Sequence, residues 1–134
     1  MPSRTDDENG FSLVELLVVV IIVGILAAIA IPTFLSQRQR GWQAQLTSDV
    51  RNAILDVEAQ FVTNSGQYPA DQAEFDALGA ATSDISITLT YDVNAARDAF
   101  CVLGRDVRQP VGNQQVAHYV SGGGVQVFQA CPPL

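Results

Sequence analysis

The chain has 134 residues, 7 Lys+Arg against 14 Asp+Glu, a net charge of −7 and a 48% share of hydrophobic residues. That length admits one core of ordinary size and excludes a multidomain enzyme. The acidic balance argues against nucleic acid or an anionic membrane surface as partner of the folded part, because those need a basic patch. All seven basic residues are arginine: Arg4, Arg38, Arg40, Arg51, Arg97, Arg105 and Arg108.

The hydrophobic content is concentrated near the start, where 20 of the 25 residues from Phe11 to Leu35 are apolar. As a helix this stretch measures about 37 Å, long enough to span a bilayer. Read as a buried soluble helix, it is apolar on all sides, and a core of about 100 residues has no room to surround it. Read as a secretory signal, it offers Ala28-Ile29-Ala30 as a small-x-small cleavage pattern. Such signals begin with positive charge, however, whereas Arg4 is set against Asp6, Asp7 and Glu8, and Pro32 follows just after the cut. Read as a membrane anchor, it carries two departures, Glu15 and Pro32. A carboxylate in hydrocarbon costs at least a few kcal/mol and calls for a partner. Near the beginning of the segment it also stands within snorkelling reach of the interface, and both readings of Glu15 stay open on this ground alone.

The string Gly10-Phe11-Ser12-Leu13-Val14-Glu15-Leu16-Leu17, continuing through Gly24 to Pro32, closely resembles the class III signal of type IV pilins and pseudopilins. In that family a short polar leader ends in glycine, phenylalanine usually follows, a glutamate stands fifth in the mature chain and a proline twenty-second, the places that Glu15 and Pro32 hold when Phe11 is first. The match is specific over about residues 10–42 and one of architecture beyond. It implies cleavage between Gly10 and Phe11 by a prepilin peptidase on the cytoplasmic side, N-methylation of Phe11, and pairing of Glu15 with the Phe11 amine of a neighbouring subunit at assembly. It also implies unwinding between Gly24 and Pro32 in the filament. From the residues themselves, Pro32 lacks an N–H and crowds the preceding turn, so the helix should kink or loosen there. Gly24 reads equally as a weak point and as a small residue at a helix contact. One departure stands out: the family's leaders are commonly basic, and this one nets −2 from Arg4, Asp6, Asp7 and Glu8. With Arg38 and Arg40 beyond the apolar segment, arginine counting places the leader outside, opposite to what processing requires.

After Leu35 the chain turns polar, and Trp42, Leu46, Val50, Ile54, Val57 and Phe61 follow at helical spacing on one face. Joined to the apolar block, this predicts a helix from about Phe11 to Val62, roughly 78 Å long, whose first half projects from the globule. Asn64-Ser65-Gly66 ends it. A short helix is expected at Asp71 to Leu78, with Asp71 and Glu74 at capping-box spacing and Gly79 at its end. Alternation of Ile85, Ile87, Leu89 and Tyr91 with Ser86, Thr88 and Thr90 predicts a strand. Further strands are expected at Phe100–Leu103, Val116–Val120 and Val125–Gln129, the last two joined by a turn at Gly122-Gly123-Gly124. The expected fold is α+β, a pilin-like lollipop whose long helix packs on an antiparallel sheet of three or four strands. Its parts are a leader (1–10), a transmembrane or filament-core half of the helix (11–35) and a globular head (36–134).

Cys101 and Cys131, the only cysteines, read as a disulfide in a head displayed outside the cytoplasm; free thiols and a metal site are the alternatives. The one histidine, His118, falls in a strand and reads as structural. Asp92, Asp98 and Asp106 are a calcium set only if loops gather them; otherwise they are solvated surface. No nucleophile, metal or phosphate-loop motif is present, so the expected protein is a structural subunit with no cofactor and no resident metal. The resemblance implies copies of itself, a prepilin peptidase, an assembly platform with its ATPase and the membrane as partners. It places the chain in the cytoplasmic membrane before assembly and in an extracellular pilus after it. A pseudopilin of a type II secretion or competence system is the alternative, and a signal-anchored or secreted small binding domain the distant one.

Overall fold

The computed structural model describes residues 11–109, 116–120, 124–127, 130, 131 and 133. It divides into two compact units, 1–37 and 38–134. A single helix, α1, runs from Leu13 to Thr63 and continues through Pro32. In the first unit every residue from Phe11 to Gln37 is exposed except the half-buried Ala27. The large apolar side chains from Phe11 to Leu35 keep between 46% and 87% of their surface open, which in water is unfavourable over the whole circumference.

In the second unit α1 is one-faced. Leu46, Val50, Ala53, Ile54 and Val57 are buried, and Trp42 and Phe61 are half-buried at the two ends of that face. Ser65 (φ 57°) and Gly66 (φ 78°) then turn left-handed and end the helix, with the Gly66 N–H donating to the Phe61 carbonyl at 3.0 Å. Helix α2 covers Gln72–Ala77. Asp71 accepts from the Glu74 N–H at 2.9 Å, the N-cap bond, and Glu74 accepts from the Ala70 N–H at 2.7 Å, one residue before the cap.

The sheet is an antiparallel meander of β1 (Ile87–Val93), β2 (Phe100–Asp106), β3 (Val116–Val120) and β4 (Gly124–Val127), in that order. Two boundaries differ from expectation. The first strand starts at Ile87, because Asp84 captures the Ser86 N–H on its carboxylate and the Ile87 N–H on its carbonyl. This local turn leaves Ile85 fully exposed. The second strand runs on past Leu103 to Asp106, and Gly104 is the reason it can. A Cβ there would lie 2.5 Å from Val50 Cγ2 and 2.8 Å from Leu46 Cδ1. Only glycine lets the strand backbone approach α1 this closely. The expected turn at Gly122 and Gly123 and the strand residues Phe128 and Gln129 lie outside the described residues.

Beside this contact the aromatic rings form a connected group. Tyr68 lies 4.5 Å from Phe61 and 4.6 Å from Phe100, and Tyr91 stacks on Phe75 at 5.0 Å. The Tyr91 hydroxyl donates to the Pro69 carbonyl at 2.9 Å, so the Tyr68-Pro69 loop is tied to the sheet. Burial raises the Tyr91 hydroxyl far above its ordinary range.

Among the described residues three polar side chains are also buried, Asp49, Asp106 and Gln109, and each has a partner, Gln109 donating from its side-chain amide to the Gln39 carbonyl at 3.4 Å. Asp49 accepts from the Ser83 N–H at 2.9 Å and the Ser83 hydroxyl at 2.8 Å. Asp106, fully buried, receives the Arg108 N–H, Nε and Nη2. The Arg108 guanidinium continues to Asp84 at 2.8 Å and to the Gln45 side chain at 3.2 Å. Helix, loop and strand end are thereby joined by charge-assisted bonds, the stronger kind.

Two outcomes follow. In the full chain, Gly104→Ala should lower stability by about 1–3 kcal/mol through overpacking against Val50. Paired with Val50→Ala it should lose less than the two single variants together, read from denaturant midpoints as a double-mutant cycle. Additive losses would mean that the two sites do not touch. The second concerns pH. The Ser86 N–H, then the Ser86 hydroxyl and Arg108, hold the Asp84 carboxyl below its ordinary 3.8, so the folded chain binds fewer protons than the unfolded one in that range. The contribution is complete above about pH 4 and is lost as the pH falls through the lowered folded value. Acid unfolding of Asp84→Asn should lack this part of the slope.

Candidate assembly site

The beginning of α1 is built by Ser12 and Glu15. The Ser12 hydroxyl accepts from the Val14 N–H at 3.3 Å, and the Glu15 carboxylate accepts from the Ser12 N–H at 2.9 Å. This is a capping box, in which two otherwise orphaned amides at the helix start are satisfied reciprocally. Ser-x-x-Glu at residues 12–15 is its sequence signature, and it gives Glu15 a bond within its own chain. Phe11 precedes the cap and is 87% exposed; Gly10 lies outside the described residues, as does the rest of the segment 1–10. The carboxylate therefore points back toward the first residue of the expected mature chain.

From Gly24 to Pro32 the single chain is helical. A Cβ on Gly24 would meet nothing within 4 Å, so no contact inside the chain requires glycine there. One residue after Pro32, the Thr33 hydroxyl donates to the Ile29 carbonyl at 2.9 Å. This is the i−4 carbonyl of Thr33 itself, a hydroxyl bond of the kind that bends helices slightly; the carbonyl that the missing N–H of Pro32 leaves without its usual donor is that of Ala28.

At the other end of the chain Cys101 and Cys131 are joined as a disulfide with Cα atoms 6.0 Å apart. Cys101 is fully buried and stands in β2 between Asp92 of β1 and Val120 of β3. The bond therefore ties the C-terminal segment to the central strands. His118 occupies β3 opposite Leu103 and Gln126. The three acids considered for calcium are not assembled. Asp106 is committed to Arg108, Asp98 accepts from the Asn94 side chain at 2.6 Å, and no metal-holding group of three such side chains occurs among the described residues.

Several contacts went unforeseen. Asp49 left a signal, a carboxylate on the apolar face of α1 between Leu46 and Val50, which demands a buried donor. Arg108 left none, because Asp84, Gln45 and Trp42 reach it from distant parts of the chain. Arg97, at φ 57°, donates to the Tyr68 carbonyl at 2.7 Å and pairs with Glu74 at 3.3 Å, holding the β1–β2 connection against the Tyr68-Pro69 loop.

The prokaryotic N-terminal methylation motif matches residues 6–31, the stretch that contains the cap and most of the exposed apolar helix. Among curated proteins, the chain is 32% identical over 95 residues to the major component of the type IV wide pilus of Thermus thermophilus, covering 71% of each chain. It is 32% identical over 99 residues to the major component of the type IV narrow pilus of the same organism, covering 70% of this chain and 85% of that one. It is also 30% identical over 71 residues to the type II secretion system core protein G of Aeromonas hydrophila, covering 53% of this chain and 49% of the relative. With a methylation motif at its start, and with similarity to two pilus components that spans more than two thirds of their length, the chain belongs to the type IV pilin family.

Proposed function

We propose that the chain is the structural subunit of a type IV pilus. It is synthesised with residues 1–10 as leader, cut between Gly10 and Phe11 by a prepilin peptidase, and methylated on the Phe11 amine. The apolar half of α1, about residues 11–35, holds it in the cytoplasmic membrane with the leader inside and the head, 36–134, outside. An assembly platform and its ATPase then transfer it into an extracellular filament used for adhesion, motility or DNA uptake. Its role is to polymerise and not to catalyse. The observation that carries this reading is the similarity to the two Thermus pilus components, which reaches beyond the methylation motif into the head.

In this assembly Glu15 pairs with the Phe11 amine of a neighbouring copy, so that two charges costly in hydrocarbon offset each other and an out-of-register subunit leaves both unpaired. Gly24 to Pro32 is the stretch that loosens, since Pro32 already lacks one backbone bond. The secretion-system reading rests on the similarity to core protein G; the disulfide that ties down the C-terminal segment favours the pilus.

Intact mass of the membrane-extracted protein should fit a chain beginning at a monomethylated Phe11, and sheared surface filaments should contain it. A mass that includes Met1 defeats the processing step, and a processed chain absent from long filaments favours the secretion system. For Glu15, the capping box gives a sharper comparison than alanine alone. Glu15→Gln keeps an acceptor for the Ser12 N–H and removes the charge, whereas Glu15→Ala removes both. If charge sets the register, both variants are processed normally and both lose most filament yield. Filaments at wild-type yield from Glu15→Gln would reduce the role of Glu15 to helix capping.

A further inference from the structure

The net charge of −7 averages over a strong segregation. Between Glu15 and Asp49 the only charged residues are Arg38 and Arg40, whereas from Asp49 onward there are 10 acids and 4 arginines. The single tryptophan of the chain, Trp42, stands in the same short positive stretch. The Arg38 guanidinium lies 4.6 Å from the centre of the Trp42 ring, and Arg108 lies over the same ring at 5.4 Å. Their charges are disposed differently. Arg108 is neutralised by Asp84 and Asp106, and its bonds fix Trp42 against the head. Arg38 and Arg40 are exposed, and neither forms an ion pair among the described residues.

We infer that Arg38, Arg40 and Trp42 form a collar that binds the anionic headgroups of the membrane leaflet on the side of the head. The inference rests on the membrane-held reading above and adds to it a lipid class and the residues that select it. Arg38 and Trp42 follow Leu35 by 3 and 7 residues, which on a helix is about 5 and 10 Å. The headgroup zone beyond the hydrocarbon is about 5–8 Å deep on each side, so Arg38 falls inside it and Trp42, whose side chain leans back toward the helix N-terminus, at its outer edge. Tryptophan and arginine are the side chains suited to that layer, an amphipathic ring and a long stem carrying a head that reaches phosphate. Arg38 and Arg40, two residues apart, point about 200° from each other around a helix. Charges on opposite sides of a helix suit a lipid layer that surrounds it. The acidic head is repelled by such a surface, so attraction at the collar and repulsion beyond it hold the chain at one depth.

Trp42 supplies the test, because as the only tryptophan it reports on its own surroundings. The full chain is reconstituted in two sets of phosphatidylcholine vesicles with the same content of phosphatidylglycerol. One set carries a nitroxide at the top of the acyl chain of the phosphatidylglycerol, just below the headgroup, the other at the same place on an equal amount of the phosphatidylcholine. A nitroxide quenches tryptophan through space rather than only at contact, so it reaches a ring at headgroup level, and the surface charge is the same in both. The collar predicts that quenching by the anionic lipid corresponds to about fivefold enrichment beside Trp42, as one engaged arginine provides. The enrichment should fade at high salt and vanish in the double variant Arg38→Gln, Arg40→Gln, which still floats with the vesicles. Equal quenching by the two lipids overturns the collar. So does a preference that the double variant keeps. Equal quenching accompanied by arginine-dependent self-association assigns the two arginines to a second copy of the chain instead. A chain that does not float with vesicles at all overturns the membrane-held reading itself, an outcome separate from loss of lipid preference.

Discussion

A helix that is apolar over its whole circumference has no stable place in water, and every other property of this molecule answers to that constraint. From Phe11 to Leu35 the exposed large side chains belong to valine, leucine, isoleucine and phenylalanine. At about 25 cal/mol for each Å² removed from water, a segment of this kind gains far more from being enclosed than any single bond in the head supplies. It needs a surrounding medium and it is indifferent to whether that medium is lipid or more copies of the same helix. A subunit drawn from a bilayer into a fibre requires this equivalence. It also explains why specificity must come from elsewhere: apolar surface drives association and does not choose a register.

The head meets a different demand. It must keep one fold while its chain is held at one end, and it does so with a small apolar core reinforced at its edges. Gly104 lets β2 lie against Val50 and Leu46 at a distance no other residue permits. Beside that contact, Arg108 gathers Asp106, Asp84 and Gln45, and Asp49 holds Ser83. A buried carboxylate without partners would cost several kcal/mol. Here Asp49 is answered by Ser83 from a distant loop and Asp106 by Arg108, which itself reaches Asp84 and Gln45, so the polar contacts specify how helix, loop and strand meet more than they add net stability. The disulfide performs the corresponding task for the C-terminal segment, restricting the unfolded chain over a separation of 30 residues.

What was legible in the sequence was what repeats locally. The apolar block, the one-faced run from Leu46 to Val57, the capping pair Asp71 and Glu74, and the alternation in β1 all follow from periodicity or from spacing within one turn. The errors fall where a distant or competing contact decides. Ile85 fits the alternation of β1 and is nonetheless outside it, because Asp84 bonds the following backbone into a turn. Leu103 looked like the end of β2, because a glycine, an arginine and an aspartate do not read as strand; Gly104 is there for close approach, and Asp106 for Arg108. The Ser12–Glu15 cap is legible in its Ser-x-x-Glu spacing, while the resemblance implies another partner for the same carboxylate.

The cap and the proposed pairing between subunits are compatible on one glutamate. A carboxylate has two oxygens and about four acceptor positions, and the Ser12 N–H occupies one of them. The cap fixes the side chain toward the helix start before any neighbour arrives. Freezing a free glutamate at assembly would cost about 1.5–2 kcal/mol of rotamer entropy, and much of that is already met within the chain. In the proposed filament an incoming amine at the level of Phe11 then finds an acceptor already oriented. Aspartate, one methylene shorter, does not reach back across the turn as well, and alanine offers nothing to reach with. The charge needed between subunits thus stands on the one side-chain length that also closes the helix of its own chain.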